Sequence, residues 1–302
     1  MLAALLLIVC QTPDQRTLNN RLQQKLRSEF LAKTPWLTDF EKARTESASS
    51  GRPILAYFTR SDAEAPACDK LERGLFLGDE FAALAKGAVL FCHVSSRVDG
   101  EPLADLLSQK GGQGFPFIAF LDPAGGVLVR CPSARDPEAL GAALKTAAAR
   151  LDLKKKADGG DMGARADYTI AMVEVDEATV TLDDAKKRIA GLGELTKEQR
   201  AKADAVLADI ELFAIAKTVT RAPQSRLDAG RKCLDMKRGG RIPQESDASQ
   251  RFWIYLIEFA EDQRDVALCE EALAALRERF GSNAAAATLI DEHAKKVAEL
   301  KK

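Results

Sequence analysis

Thiol chemistry is what this chain's residue types could perform. Its 302 residues include six cysteines, Cys10, Cys68, Cys92, Cys131, Cys233 and Cys269, and two histidines, His93 and His293. A thiolate attacks disulfides, binds soft metals and serves as a nucleophile. Spacing narrows those options. No two cysteines lie within four residues of each other. That excludes the Cys-x-x-Cys pair of zinc knuckles and of dithiol redox sites. Two histidines argue against a His-rich metal site, so neither metal nor cofactor is expected. Cys92 and His93 are neighbours in a strand-like run, where adjacent side chains point to opposite faces and cannot form a dyad. Cys131 ends a short strand and reads as a packing residue. Cys233 and Cys269 fall on separate helices and could pair only in an oxidising compartment. His293, on a polar terminal helix, has no evident partner. Cys68 is the remaining candidate.

Other chemistries lack their signatures. There is no P-loop, no Gly-x-Ser-x-Gly elbow, no His-Glu-x-x-His and no Gly-x-Gly-x-x-Gly. Gly112-Gln113-Gly114 runs into Phe-Pro and fits a loop before a strand. Acidic pairs such as Asp183-Asp184 and Glu270-Glu271 read as solvated helix faces. With 44 basic and 45 acidic residues the net charge is −1, which argues against a nucleic-acid partner. Hydrophobic residues make up 46% and charged residues 29%, an ordinary soluble composition that excludes wholesale disorder. The length suits about two domains.

The elements that must position Cys68 follow from the hydrophobic pattern. Leu18, Leu22, Leu26 and Phe30 place one apolar stripe on a helix over 14–34 that covers a domain edge. Thr38 and Glu41 form a capping box for a helix through Ser47. Buried strands are expected at 54–59, 88–94 and 117–121, with a turn at 122–126 and a returning strand at 127–130. Helices are expected from Ala65, over 79–86, over 102–109 and over 136–151. This order gives a mixed sheet with helices on both faces. Residues 152–167 are polar, Gly-containing and aperiodic, and read as a linker. From Tyr168 onward the pattern is helical, with capping boxes at Thr181 and Thr196 and a helix hairpin over 251–281 that resembles one tetratricopeptide unit.

Residues 36–130 resemble the thioredoxin superfamily, in particular bacterial exported thioredoxin-like proteins that begin with a Trp-led helix. The matching residues are Trp36, Lys42-Ala43, Arg52-Pro53-Ile54-Leu55, Phe58-Thr59, Cys68 with Lys70-Leu71-Glu72, Phe76, Phe115-Pro116, and Phe120-Leu121-Asp122 with Gly125 or Gly126. The resemblance implies a thioredoxin-like domain over 35–151. Before it come a candidate signal peptide at 1–10 and an N-terminal helix at 11–34, and after the linker an α-helical domain fills 168–302.

Thioredoxin chemistry uses two thiols three residues apart at a helix N-terminus, one to attack and one to resolve. Here that turn reads Ala65-Pro66-Ala67-Cys68. By the resemblance Cys68 holds the resolving place and Ala65 the attacking one, so the nucleophile is absent. Tyr57 stands where the family often has a buried Asp. Asp62, Glu64 and Asp69 oppose a thiolate on Cys68. Pro116 matches the family's cis-proline, and Phe115 the residue whose backbone bonds an extended substrate. The implied peptide-binding residues are therefore Ala65, Pro66, Phe115 and Pro116.

Residues 2–9 are all apolar, too short to span a bilayer but suited to a signal peptide core. No Lys or Arg precedes them and no Ala-x-Ala follows. A buried segment or a misassigned start is the alternative, and the protein is then cytoplasmic. No other run is long enough for a membrane helix. Three functions fit these residues: a redox-degenerate module of the cell envelope that binds a protein or peptide, a monothiol reductase or isomerase using Cys68, and a scaffold for the helical domain.

Overall fold

The computed structural model describes residues 14–131, 136–176 and 179–302, apart from the side chain of residue 285. The apolar run at 1–10, with Cys10, lies outside these. Two compact units divide between Lys155 and Lys156.

The first unit opens with α1 (Gln15–Leu26) and α2 (Glu29–Lys33), followed by α3 (Phe40–Ser50) and β1 (Ile54–Arg60). Next come α4 (Pro66–Arg73), a 3-10 turn at Leu75–Leu77, α5 (Asp79–Ala85) and β2 (Val89–Ser95). After α6 (Leu106–Gln109), β3 (Phe117–Leu121) and β4 (Val127–Arg130) complete the sheet before α7 (Pro137–Asp158). The strand order is β2-β1-β3-β4. β1 is parallel to β2 and antiparallel to β3. The parallel pair needs a crossover, which α4 and α5 supply, while β3 and β4 need only a tight turn. At that turn the Gly126 amide donates to Asp122 Oδ1 at 2.7 Å, and Gly125 takes φ 87°, a value that favours glycine.

β1 is central, and Ile54 through Thr59 are all buried. Its two faces meet different partners. Ile54, Ala56 and Phe58 pack with Val89, Phe91, Ala119 and Leu121 under Phe40 and Ala43 of α3 and Leu106 of α6. Tyr57 faces the other way, into a ring cluster with Phe30, Trp36, Phe76 and Phe81. Trp36 stacks on Phe81 at 5.8 Å. Rings at these distances add to plain area burial.

Several sequence expectations need correction. The stripe over 14–34 is not one helix. It breaks at Arg27–Ser28, where Ser28 starts α2. Asp39, not Thr38, caps α3 by accepting from the Lys42 amide at 3.1 Å. The helix expected over 102–109 is only α6, because Leu103 sits at φ 61° and a right-handed helix cannot pass through it. Residues 152–167 are mostly helical. α7 continues to Asp158, and α8 (Met162–Val175) starts after Asp161, whose carboxylate accepts from the Ala164 amide. Lys and Ala favour helix whether or not one face is apolar, so periodicity missed this stretch, and only Gly159-Gly160-Asp161 interrupts it.

The second unit continues with α9 (Leu182–Ala190), α10 (Lys197–Lys217), α11 (Pro223–Arg238), α12 (Ser246–Asp262), α13 (Val266–Phe280) and α14 (Ala284–Leu300). Thr181 caps α9, and Thr196 with Gln199 forms a full capping box on α10. Phe252, Leu256, Ile257, Cys233, Cys269 and Leu276 centre one apolar core. Ile170, Val173, Ile189 and Ile210 centre another. α11 lies close on α12, since a Cβ on Gly230 would fall 2.3 Å from the Tyr255 carbonyl and 2.4 Å from Phe259 Cβ. No helix among the described residues is long and apolar enough to cross a membrane. Gly230→Ala is expected to destabilise the helical unit by about 1–3 kcal/mol through overpacking. A lower urea midpoint by circular dichroism tests this, and an unchanged midpoint would show that the helices can separate freely.

Candidate functional site

Alternation along β1 sets the floor of the site. Tyr57, Thr59 and, one step past the strand end, Ser61 point to the α4 side, as period-two geometry requires. Above them α4 turns Cys68, Leu71 and Glu72 inward. Glu72 is a buried carboxylate. Its Oε1 accepts from the Tyr57 hydroxyl at 2.9 Å and the Thr59 hydroxyl at 2.8 Å. Its Oε2 accepts from Lys25 Nζ of α1 at 2.6 Å. The same ammonium lies 3.7 Å from Asp69 Oδ1. Burial, followed by the Glu72 charge, pushes the Tyr57 phenol far above its ordinary value, so it stays a neutral donor.

Cys68 is fully buried and unpaired. Cys92 lies beside Tyr57 in register on β2, equally buried, and burial drives its thiol well above the usual range. His93 turns to the opposite face, where its ring sits 5.7 Å from Phe58, so Cys92 and His93 are apart. Burial lowers the pKa of His93. Burial likewise pushes Cys131 and Cys233 to about 12 and Cys269 to about 11.

The loop after β1 is clamped by charge. Arg60 makes two bonds to the Asp62 carboxylate, at 2.8 and 2.7 Å. Arg97 Nε lies 3.0 Å from that carboxylate, and Arg21 donates to the Asp62 carbonyl at 2.7 Å. Burial opposes ionisation of Asp62, but the hydrogen bonds and charge of Arg60, with Arg97, outweigh it and hold the carboxyl below its ordinary value. The guanidinium of Arg60 also lies 5.6 Å from the centre of the Phe115 ring, so one side chain links the β1 loop to the segment before β3. The Phe115–Pro116 peptide is cis. Ala65 caps α4 without a side-chain bond, and Pro66 occupies its first turn. Ala65, Phe115 and Pro116 are half-buried and Pro66 is exposed.

The acidic residues expected around Cys68 play different parts. Asp62 is buried against arginines, Glu64 is exposed and Asp69 is half-buried. Glu72, Lys25, Arg60 and Ser61 were missed as site residues. Glu72 was detectable, because it stands four residues after Cys68 and so shares its helix face. Lys25 was not, since nothing local marks which surface lysine meets a buried carboxylate. His293 is a further correction. It is buried, and its Nδ1 lies 2.6 Å from Glu261 Oε1. It is three residues from Ile290 and four from Val297, both core residues, and helical spacing puts all three on one face.

Two outcomes follow from these charges. Lys25→Met leaves Glu72 buried without its cation and is expected to cost about 3–5 kcal/mol in denaturant unfolding. Adding Glu72→Gln should restore part of the loss, and a single variant as stable as the parent would contradict the pairing. For Asp62 the folded pKa lies below its ordinary 3.8. Its contribution is therefore present above about pH 4 and is lost as pH falls through the folded value. Unfolding measured between about pH 2 and 5 should lose less stability in Asp62→Asn than in the parent.

Comparison with known proteins matches residues 35–123 to the thioredoxin-like family. No curated protein matches the chain. A solved structure named "DsbH Oxidoreductase" is similar at 22% identity, over 38% of this chain and 85% of that chain, with a TM-score of 0.34. The chain thus carries a thioredoxin-like domain built on a mixed four-stranded sheet, followed by a large helical region.

Proposed function

We propose that the thioredoxin-like domain is a redox-degenerate module that binds a protein or peptide in the cell envelope. The observation that carries this reading is a contrast in access. Ala65, Pro66, Phe115 and Pro116, which would hold an extended chain, all reach solvent, whereas Cys68 is fully buried. Ala65 stands where an attacking thiol would be needed, and no other cysteine lies within four residues of Cys68. An extended peptide can still bond to backbone groups beside Phe115 and at the first turn of α4, where Ala65 offers no side-chain cap. Export through residues 1–10 belongs to the same proposal.

The alternative is a monothiol reductase or isomerase using Cys68. That chemistry needs the sulfur as an exposed thiolate in line with a substrate disulfide, and the burial of Cys68 argues against it. The test is turnover of a disulfide substrate by the full chain and by Cys68→Ser, with alkylation of each cysteine followed by mass spectrometry. The expected result is no turnover in either protein and no labelling of Cys68 until unfolding. Turnover that Cys68→Ser abolishes would overturn the binding reading in favour of the enzyme.

A further inference from the structure

A cavity of about 400 Å³ opens between α1 and the flank of α4, next to Ala65. Its α1 wall lies outside the family match at 35–123. Ser61 is one of its lining residues. Tyr57 and Thr59, earlier in the same alternation, both bond to Glu72, but the Ser61 hydroxyl is buried at 9% exposure and has no hydrogen-bond partner. A buried hydroxyl in that state is costly unless something meets it.

The charges around it indicate what could. The lining carries four basic and four acidic side chains. Deepest among them are Lys25 and Glu72, which neutralise each other at 2.6 Å. The unpaired charges of the lining, Glu29, Glu64 and Arg73, are exposed at its rim, so a net ion entering beside the buried pair would lose hydration against charges already spent on each other. A neutral dipolar group fits better. Lys25 has three N–H donors and spends one on Glu72, while Asp69 lies beyond hydrogen-bond reach at 3.7 Å. Beside the buried pair, away from the exposed rim, the free donors are Ser61 O–H and a Lys25 N–H, and the nearest acceptor to Lys25 after Glu72 is the half-exposed Asp69 carboxylate. Phe30 and Ala65 supply apolar surface alongside. One carbonyl oxygen for two donors and one N–H for a carboxylate is the complement of an amide.

We propose that this cavity binds an amide group, carried by the backbone of an extended peptide or by a Gln or Asn side chain. The proposal rests on the peptide-binding reading above and names the part of the ligand held beside Ala65. The carbonyl accepts from Ser61 and Lys25, and the N–H donates to Asp69.

The experiment is a titration of the full chain, followed through the backbone amide resonances of Ser61 and Asp69 for the cavity and of Phe115 for the groove. The probes are propionamide, blocked acetyl-alanyl-alanine methylamide, N,N-dimethylpropionamide, acetate and methylammonium. Saturable shifts at Ser61 and Asp69 are expected with propionamide or the blocked dipeptide. Propionamide alone assigns a side-chain amide, and the dipeptide assigns a backbone one. Dimethylpropionamide, which lacks the N–H, should bind about fivefold more weakly, as should the amides to Ser61→Ala, the worth of one hydrogen bond. Ser61→Ala removes an unsatisfied hydroxyl and so should fold. Equal binding of acetate or methylammonium, unchanged affinity in Ser61→Ala, or no shift at Ser61 and Asp69 would overturn the proposal. Shifts confined to Phe115 would overturn it while leaving the peptide groove standing. Disulfide turnover dependent on Cys68 would instead remove the reading beneath it.

Discussion

A carboxylate held out of water governs the arrangement of the first unit. Glu72 sits between α4 and the sheet, where an unpaired charge would cost several kcal/mol. It is tolerable because three groups from two elements converge on it. Tyr57 and Thr59 of β1 donate to one oxygen, and Lys25 of α1 meets the other. These bonds have direction, unlike the apolar packing around them. They fix the rotation of α4 about its own axis, and that rotation decides which residues of its first turns are seen from outside. Cys68 shares the face of Glu72 and goes in with it, and Ala65 and Pro66 are left at the surface. α1 is therefore a structural partner of the domain.

Tyr57 and Glu72 together invert an arrangement that the resemblance led one to expect. In the family an acid on the strand is placed to take a proton from the resolving thiol. Here the acid is on the helix and the strand presents a phenol. Both lone-pair directions of Glu72 Oε1 are spent on hydroxyl donors, and Oε2 is spent on an ammonium. The carboxylate's three donors come from β1 and α1, and none of them is a thiol. The same residue types that could have served a thiol are bound into a structural knot.

How much of this was legible follows the reach of each interaction. The strands at 54–60, 89–95 and 117–121 were readable because short apolar runs bounded by Gly, Pro and Asp mark buried strands locally, and 127–130 because it follows the Asp122–Gly126 turn. The cap at Thr196 was readable because both its partners lie within four residues. The break at Arg27–Ser28 was not, since a four-residue apolar spacing persists across it. The 152–158 stretch failed for the opposite reason, being helix with little apolar face to betray it. Cys68, Ala65 and Phe115-Pro116 could be named from order and spacing. Lys25 with Glu72, Arg21 with Asp62, and Glu261 with His293 join residues 47, 41 and 32 apart, and no local pattern encodes such partners.

The loops after β1 and β2 are held in the same manner. Asp62 is gripped by Arg60 and Arg97, and Glu101 Oε2 accepts from the Ser96 amide and hydroxyl and from the Arg97 amide. Arg97 and Leu103 hold left-handed backbone, at φ 57° and 61°, a conformation that persists only where the surroundings enforce it. Arg60 then reaches the Phe115 ring. Through Asp62 and Phe115, the Arg60 side chain thus ties the loop after β1 to the cis Phe115–Pro116 segment before β3, so two stretches far apart in sequence are held by one residue.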